Sequence, residues 1–291
     1  MSHFSCQDIY NINGLKRFLA WHDLKPNRDK GQHFLVNEAV LKKIAGAVGA
    51  GEIAVEVGAG TGSLTCAIKG KFEKVLAVEL DEQLRLPFKD LNPEESVRFV
   101  SGNFLNLDFT ELGLKKTGSA RLVGNIPYGI TGKILEKAVS ERGYLSESVF
   151  TMQKEVADRV LAEPGTNECG AITYYIRAYA EVDHVIDIPP EAFHPPPRVT
   201  SSTVKLKYSP EKNFESGEEV FLRLIRGLFN YRRKTIRKGL IVSPKFPLSR
   251  AEVDDLLERA GLDARRRPEE LTLEDFDRLA SALAKFEKSG S

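Results

Sequence analysis

The chain has 291 residues and a formal net charge of +1, and 42% of its residues are hydrophobic and 29% charged. This composition is that of a globular protein of about two domains, and the balanced charge does not by itself predict a nucleic-acid partner. No apolar run approaches the roughly 20 residues of a membrane span. Residues 1–26 lack the apolar stretch of a signal peptide. We therefore expect a cytoplasmic protein without membrane contacts.

The three cysteines are Cys6, Cys66 and Cys169. Their number is odd and none of them forms a Cys-x-x-Cys pair, so the sequence predicts neither a disulfide framework nor a zinc site. We expect unpaired thiols in a reducing compartment, and no catalytic metal.

Short apolar runs alternate with longer amphipathic segments through the first part of the chain. Apolar spacing predicts a helix over 34–48, and strands are predicted at 53–57, 75–80, 97–100, 120–124 and 148–152. Nearly continuous apolar strands of this kind are typical of a parallel sheet that is buried on both faces. Two later strands are predicted at 174–186 and 202–208, with a rigid proline-rich loop over 188–199 between them.

The composition shifts near residue 210, and three amphipathic helices are predicted over 219–240, 248–262 and 267–286. The sequence therefore predicts two domains. The first is an α/β domain over 1–209, in which residues 1–30 are an N-terminal extension. The second is a small all-helical domain over 210–291.

Three glycines, Gly58, Gly60 and Gly62, follow a predicted strand and open a helix. Glycines at such a turn let the backbone approach a ligand closely, although a purely structural turn remains an alternative. The dinucleotide pattern needs a third glycine at position 63, which is Ser63. The observed spacing, preceded by Glu56, instead resembles the S-adenosylmethionine loop of Rossmann-like methyltransferases.

Two polar residues follow the next strands. Glu79 lies about 20 residues after the first glycine, where a carboxylate accepts hydrogen bonds from ribose hydroxyls. It also suits a nicotinamide cofactor, and a solvated carboxylate beside Asp81 is the alternative. Asn103 follows the third strand and can pair with an adenine edge, with a turn asparagine as the alternative.

The segment from Asn125 to Tyr128 suggests how an amine is methylated. The exocyclic amine of a nucleobase is a weak nucleophile because its lone pair is delocalised into the ring. Two acceptors, the Asn125 side-chain oxygen and the carbonyl of Ile126 or Pro127, can bind its N–H groups and free that lone pair. Proline restricts the backbone there, and Tyr128 offers an aromatic face for stacking. Transfer from a sulfonium then depends mainly on alignment.

Asn followed by an apolar residue and Pro-Tyr resembles the motif of amino-directed nucleic-acid methyltransferases. Seven segments narrow this to the ribosomal RNA adenine N6-dimethyltransferase family, closest to the bacterial 16S ribosomal RNA dimethyladenosine transferase type. They are GQHFLVN (31–37), VEVGAGTGSLT (55–65), VELD (78–81), GNIPYGIT (124–131), MQKEVADRVLAEPGT (152–166), IPPEAFHPPPRVTSSTV (188–204) and FNYRRKTIRKGL (229–240).

The resemblance implies a Rossmann-like class I methyltransferase fold with a mostly parallel central sheet. It implies S-adenosyl-L-methionine as cofactor and N6,N6-dimethylation of two adjacent adenosines. Those adenosines would lie in a hairpin loop near the 3′ end of 16S ribosomal RNA, in an assembling small ribosomal subunit. No obligate protein partner is evident, so we expect a monomer.

The resemblance also implies the roles of individual residues. The catalytic set comprises residues 125–128 together with Phe193, whose ring would hold the target base against Tyr128; a core phenylalanine is the alternative. The cofactor contacts fall on Gln32, His33, Leu35, Gly58, Gly60, Glu79, Asn103 and Asn125. Asn103 departs from the Asp of many members, and Cys169 replaces a common aromatic. Residues up to Trp21 lie outside the shared pattern.

If 219–240 is one helix, Arg226, Asn230, Arg233 and Arg237 form a single polar stripe. With Lys234 beside them, we expect phosphate contacts from Arg226, Arg233, Lys234 and Arg237, although a solvated basic face is the common alternative.

Three other functions remain open. One is a related enzyme that modifies large-subunit ribosomal RNA and confers antibiotic resistance. Another is a ribosome-assembly or transcription factor that retains the methyltransferase fold without its chemistry, which the intact 125–128 segment disfavours. The third is a nicotinamide oxidoreductase, which Ser63 disfavours.

Overall fold

The computed structural model describes residues 4–27, 30–209 and 214–289. They form two compact units. The first consists of residues 4–157 and 180–209, and the second of residues 158–179 and 214–289.

The elements follow one another along the chain as helices α1–α11 and strands β1–β9. In order they are α1 Ile12–Trp21, β1 Phe34–Leu35, α2 Glu38–Val48, β2 Gly51–Val57, α3 Ser63–Ile68, β3 Phe72–Glu79, α4 Arg85–Leu91, β4 Val97–Ser101, β5 Ala120–Asn125, α5 Thr131–Ser140, β6 Leu145–Gln153, α6 Lys154–Leu161, α7 Ala171–Arg177, β7 Ala180–Ile188, β8 Phe193–His194, β9 Ser201–Tyr208, α8 Glu218–Phe229, α9 Ile236–Val242, α10 Arg250–Ala260 and α11 Leu273–Ser289.

Seven strands of the first unit form one sheet in the order β4-β3-β2-β5-β6-β9-β7. Only β9 runs against its neighbours, so the predicted mostly parallel α/β sheet is confirmed. The apolar run from Val75 to Val78 is almost completely buried, as expected for a strand covered on both faces. Strands β3 and β4 are added on one side of β2, and β5 and β6 on the other side, so the strand order switches between β2 and β5. Ligands of open α/β sheets bind at the carboxyl ends of the strands at such a switch point.

The N-terminal extension packs onto the first unit through the apolar face of α1. Leu15, Phe18 and Leu19 share a buried cluster with Leu84 and Leu91. The predicted extension includes residues 1–3 and 28–29, which lie outside the described residues.

The expectation of unpaired thiols was wrong for two of the three cysteines. Cys6 in the extension and Cys66 in α3 form a disulfide with a Cα–Cα distance of 5.7 Å. The pair is separated by 60 residues in sequence, so only the packing of the extension brings the thiols together. Cys169 is a free, buried cysteine.

The segment 174–186 is not one strand as predicted. Its first part belongs to α7, in which Tyr174 is fully buried against Phe229 and Phe276, with ring centroids 5.2 and 4.7 Å away. The apolar residues over 174–179 therefore pack within the second unit, and 158–179 belongs to that unit and not to the first domain. The boundary predicted at residue 210 falls at 210–213, which the structure does not describe.

The helix predicted over 219–240 is also interrupted. Helix α8 ends at Phe229, and α9 begins at Ile236 after Thr235, whose hydroxyl accepts a hydrogen bond from the backbone N–H of Lys238. An N-cap residue of this kind marks a helix start. No helix within the described residues is long and apolar enough to cross a membrane.

Candidate active site

A cleft with about 1040 Å³ of open space lies at the carboxyl ends of β2, β3 and β5. All eight residues predicted to bind the cofactor line it: Gln32, His33, Leu35, Gly58, Gly60, Glu79, Asn103 and Asn125. The structure therefore brings together residues that lie up to 93 positions apart, from Gln32 to Asn125 (125 − 32).

The glycine loop forms one wall of the cleft and requires glycine for steric reasons. Gly60 has a φ of +58°, and a Cβ there would lie 3.1 Å from the ring of Phe34. Gly62 has a φ of +90°, and a Cβ there would lie 2.5 Å from the Asn92 side-chain nitrogen. Positive φ values are costly for residues with a Cβ, so this loop is held in a shape that presents its backbone to the cleft.

Glu79 ties the end of β3 to the glycine loop. One carboxylate oxygen accepts from the backbone N–H of Gly60 and the other from that of Asp81, both at 2.8 Å. Burial raises the pKa of Glu79, and these backbone hydrogen bonds oppose the increase. A carboxylate has more acceptor positions than these bonds occupy, so the group retains acceptor capacity for a ligand hydroxyl.

Gln32 anchors the segment that precedes β1. Its side-chain nitrogen donates to Asp81 at 2.8 Å, and its side-chain oxygen accepts from the backbone of Asn27 at 2.7 Å. Lys30 adds an ion pair to Asp81 at 2.9 Å. Partial burial acts to raise the pKa of Asp81, but the hydrogen bonds from Lys30 and Gln32 prevail and hold it below its usual value.

Asn103 is exposed at the rim of the cleft. Its side-chain oxygen accepts from the backbone N–H of Leu105 at 3.0 Å and so caps the short turn that follows. The structure therefore supports the turn asparagine, and because Asn103 also lines the cleft its contact with an adenine edge stays a prediction.

Asn125 at the end of β5 has a fixed side-chain orientation. Its amide nitrogen donates to the backbone carbonyl of His33 at 2.8 Å. A carbonyl only accepts hydrogen bonds, so the atom facing it must be nitrogen. The Asn125 side-chain oxygen accepts no hydrogen bond from any residue that the structure describes, and it is therefore available to a ligand.

The backbone after Asn125 distinguishes the two carbonyls proposed as the second acceptor. The Pro127 carbonyl already accepts from the backbone N–H of Ile130 at 3.2 Å and from the Thr131 hydroxyl at 3.3 Å. The Ile126 carbonyl has no donor among the residues described, while the Ile126 N–H is held by Thr151 at 3.0 Å. Of the two carbonyls, that of Ile126 is therefore the one without a described donor, but Ile126 is 1% exposed and does not line the cleft, so its role as the second acceptor stays a prediction.

Tyr128 is half-buried beside this pair of acceptors. Its hydroxyl lies 2.7 Å from that of Ser201, and its ring lies nearly parallel to the His33 ring, at 19° and 5.7 Å between centroids. The His33 ring nitrogen Nδ1 is in turn 2.7 Å from the Pro195 carbonyl. The aromatic face of Tyr128 is thus held at fixed points.

Phe193 does not face Tyr128 as expected. It is fully buried in the core of the first unit, and it does not line the cleft. Its strand β8 pairs with β1, which places Phe193 opposite Leu35. The alternative of a core phenylalanine is therefore the one that the structure supports, and the ring parallel to Tyr128 is that of His33.

Several residues that line the cleft were not predicted as site residues, and Glu56 and Leu80 are two of them. Glu56 is almost completely buried and accepts a hydrogen bond from the Thr65 hydroxyl. Burial raises its pKa to about 8, and the nearby Glu79 adds to the increase. Leu80 lines the cleft although 64% of it is exposed. The sequence did carry a signal for Glu56, because this acidic residue stands inside a predicted buried strand.

The basic residues predicted to bind RNA lie in the second unit but do not form one helical stripe. Arg226 is in α8 with its guanidinium over the Tyr175 ring, and Arg237 is in α9 with two hydrogen bonds to Asp254 at 2.6 and 2.8 Å. Arg233 and Lys234 are exposed in the turn between these helices. The stripe was wrong because the helix is interrupted at 230–235.

The strand order, the glycine loop at the switch point and the Glu79 carboxylate are those of a Rossmann-like class I methyltransferase fold, and the family match that follows assigns S-adenosyl-L-methionine as its cofactor. The chain matches the family described as "Ribosomal RNA adenine dimethylase" over residues 24–285. It belongs to this family, whose members are ribosomal RNA adenine dimethyltransferases.

Curated relatives agree with this assignment. The chain is 36% identical over 272 residues to "Ribosomal RNA small subunit methyltransferase A" of Moorella thermoacetica, covering 89% of this chain and 93% of that protein. It is 33% identical over 285 residues to the protein of the same name from Geobacillus thermodenitrificans, covering 95% and 97%.

Two solved structures resemble the fold. A dimethyladenosine transferase from Plasmodium falciparum is 26% identical, with a TM-score of 0.71, covering 89% of this chain and 98% of that one. The 23S rRNA methyltransferase ErmE is 22% identical, with a TM-score of 0.64, covering 86% and 99%. The second likeness establishes the shared fold alone.

Proposed function

We propose that this enzyme N6,N6-dimethylates two adjacent adenosines in a hairpin loop near the 3′ end of 16S ribosomal RNA, in an assembling small subunit. The Moorella and Geobacillus relatives carry a small-subunit name. The single observation that carries the chemistry is the Asn125 amide, whose nitrogen is held by His33 while its oxygen stays available.

The cleft fits S-adenosyl-L-methionine. Glu79 retains acceptor capacity for a ribose hydroxyl, and the glycine loop, with positive φ at Gly58 and Gly60, presents backbone that a bound ligand can approach closely. The set proposed to hold it is completed by Gln32, His33, Leu35, Gly58, Asn103 and Asn125. When bound, this cofactor supplies a methyl group on a positively charged sulfur.

The protein residues prepare the adenine amine for attack. The Asn125 oxygen and the Ile126 carbonyl accept hydrogen bonds from its two N–H groups, which draws the nitrogen toward a tetrahedral shape and localises its lone pair. S-adenosyl-L-methionine held beside Glu79 and the glycine loop would supply the methyl group, so that this nitrogen would gain an N–C bond in exchange for the S–C bond of the cofactor. The methylated nitrogen is acidic and loses its proton to water, so no strong base is needed.

The base must leave any helix to reach these acceptors. Enzymes that modify bases flip them out or act on unpaired loops, and an aromatic face stabilises the flipped base by about 1–3 kcal/mol. We assign that role to Tyr128, while the buried Phe193 stays outside it. The second unit, through Arg226, Arg233, Lys234 and Arg237, is proposed to contact RNA phosphates. A cytoplasmic monomer remains the proposed state.

The test is methyl transfer from labelled S-adenosyl-L-methionine to purified small and large ribosomal subunits that lack the modification, with Asn125→Ala as the inactive control. We expect two adjacent dimethyladenosines in small-subunit RNA by mass spectrometry. Product confined to the large subunit would reassign the substrate. Absence of product on both, with the cofactor bound, would favour a non-enzymatic assembly role.

A further inference from the structure

Ser201 is the first residue of β9 and is fully buried. It lies in register with Gln153 of β6 on one side and with Ile188 of β7 on the other. A residue held by strand pairing on both sides has little freedom to move, so its hydroxyl is a fixed point at this edge of the sheet.

The Ser201 hydroxyl lies 2.7 Å from that of Tyr128. At its other end, Tyr128 is held by the turn in which the Ile130 N–H donates to the Pro127 carbonyl. The ring is therefore fixed at its backbone end and at its phenol end. Burial raises the pKa of Tyr128, so the phenol is neutral at physiological pH and serves as a hydrogen-bonding group.

We propose that Ser201 is a positioning residue, which holds the Tyr128 ring in the plane on which the target adenine stacks. This inference rests on the proposed function. Methyl transfer depends on placing the amine about 3–3.5 Å from the methyl carbon. A Tyr128 ring that is free to tilt would carry the base out of that alignment while leaving the cofactor residues in place.

The effect expected is therefore specific. Loss of the Ser201 hydroxyl lowers kcat and raises KM for the RNA particle, and the dissociation constant of S-adenosyl-L-methionine stays unchanged. A hydroxyl that only stabilised the fold would lower the midpoint of unfolding without this separation.

The sheet offers a matched control. Thr203, two residues further along β9, shares a buried 2.7 Å hydroxyl pair with Thr151 of β6. Thr203 and Thr151 lie on β9 and β6, the same two strands that carry Ser201 and Gln153. Neither threonine makes a hydrogen bond to Tyr128. Thr203→Val removes a comparably buried hydroxyl and is expected to cost comparable stability without changing catalysis.

The experiment is a double-mutant cycle with Ser201→Ala, Tyr128→Phe and the pair, measured as kcat and KM on unmodified small subunits. Each single variant is expected to lose about tenfold in kcat/KM, and the double variant no more than the worse single one, because both remove the same hydrogen bond. Cofactor affinity is measured in parallel by calorimetry.

Full activity of Ser201→Ala would overturn the proposal, and so would additive losses of kcat/KM in the cycle. The proposal would also fail if Thr203→Val lost as much kcat/KM as Ser201→Ala. If Ser201→Ala fails to fold, Tyr128→Phe removes the same bond from the other side, and its full activity would overturn it equally. A wild-type enzyme inactive on every ribosomal particle would instead refute the proposed function.

Discussion

The side-chain nitrogen of Asn125 donates to the backbone carbonyl of His33 at 2.8 Å, and this one bond links the proposed amine site to a segment that lines the cofactor cleft. Asn125 ends β5 and His33 precedes β1. The bond fixes which end of the amide is left for a ligand. The conformation of the 31–37 segment and the orientation of the Asn125 amide, the proposed acceptor, are therefore set together.

Replacing Asn125 by Ala is expected to lower kcat by about 10²–10³-fold, because a preorganised polar group aimed at the reacting atom is worth that much. Methyl transfer to small subunits measures the loss. The control is Asn11→Ala, which removes the amide that caps α1 at 2.8 Å from the Gly14 N–H. If Asn125→Ala retained full turnover with an unchanged fold, the account of the amine would be wrong.

Local patterns predicted much of this site. The glycine loop, Glu79 and Asn125 each follow a short buried strand, and parallel strands bring their carboxyl ends to one edge. Those residues could be placed without knowing any long-range contact.

The residues that sequence did not place depend on such contacts. Phe193 is buried because β8 pairs with β1, whose residues lie far away in the chain. Cys6 meets Cys66 only because α1 packs on the first unit. The apolar spacing at 174–177 fits a strand, but packing against Phe229 and Phe276 makes it a helix.

Gly62→Ala is expected to destabilise the protein by about 1–3 kcal/mol and to weaken cofactor binding, because its φ of +90° is strained for alanine. The added Cβ would also lie 2.5 Å from the Asn92 side chain. Gly46→Ala is the control: Gly46 lies within α2, and its Cβ would meet nothing within 4 Å. That change should stabilise by about 0.5–1 kcal/mol. Urea unfolding and calorimetric titration with S-adenosyl-L-methionine measure both effects, and equal results for the two variants would contradict this account.

Glu56 makes the stability of the ligand-free protein depend on pH. Its folded-state pKa is raised by burial from 4.5 to about 8. The folded state therefore keeps a proton that the unfolded chain loses above pH 4.5. The free energy of unfolding must then fall as pH rises through this window, by at most about 1.4 kcal/mol per pH unit from this group.

Glu56→Gln removes this titration while keeping a similar shape. We expect urea unfolding of the wild type to lose stability between about pH 5 and pH 8 relative to the variant. Glu79, whose pKa is also raised, is present in both proteins, so the difference between them reports Glu56 together with its interaction with Glu79. Parallel stability curves for the two proteins would contradict the assignment.

The Cys6–Cys66 disulfide should stabilise the first unit. A bond that closes a loop of about this length typically contributes about 2–4 kcal/mol, so Cys6→Ser, or addition of a thiol reductant, should lower the urea midpoint. Cys169→Ser is the control: this free, buried cysteine donates to the Thr166 carbonyl at 2.9 Å, and its replacement should leave the reductant effect intact. Alkylation of all three thiols in the unfolded, unreduced protein would show that the disulfide is absent.

The predicted RNA-binding residues differ in how far ion pairs within the second unit already neutralise their positive charges. Arg233 and Lys234 are exposed, whereas Arg237 is held by Asp254. Replacing Arg233 and Lys234 together by Ala should flatten the dependence of log K on log salt by about 0.7–0.9 for each phosphate that the variant no longer neutralises, and Arg237→Ala should have a smaller effect. Arg259→Ala, which breaks an exposed pair with Asp255 in α10, is the control. The measurement is binding to a small-subunit RNA hairpin across a salt titration, and an unchanged slope in the double variant would remove these residues from the interface.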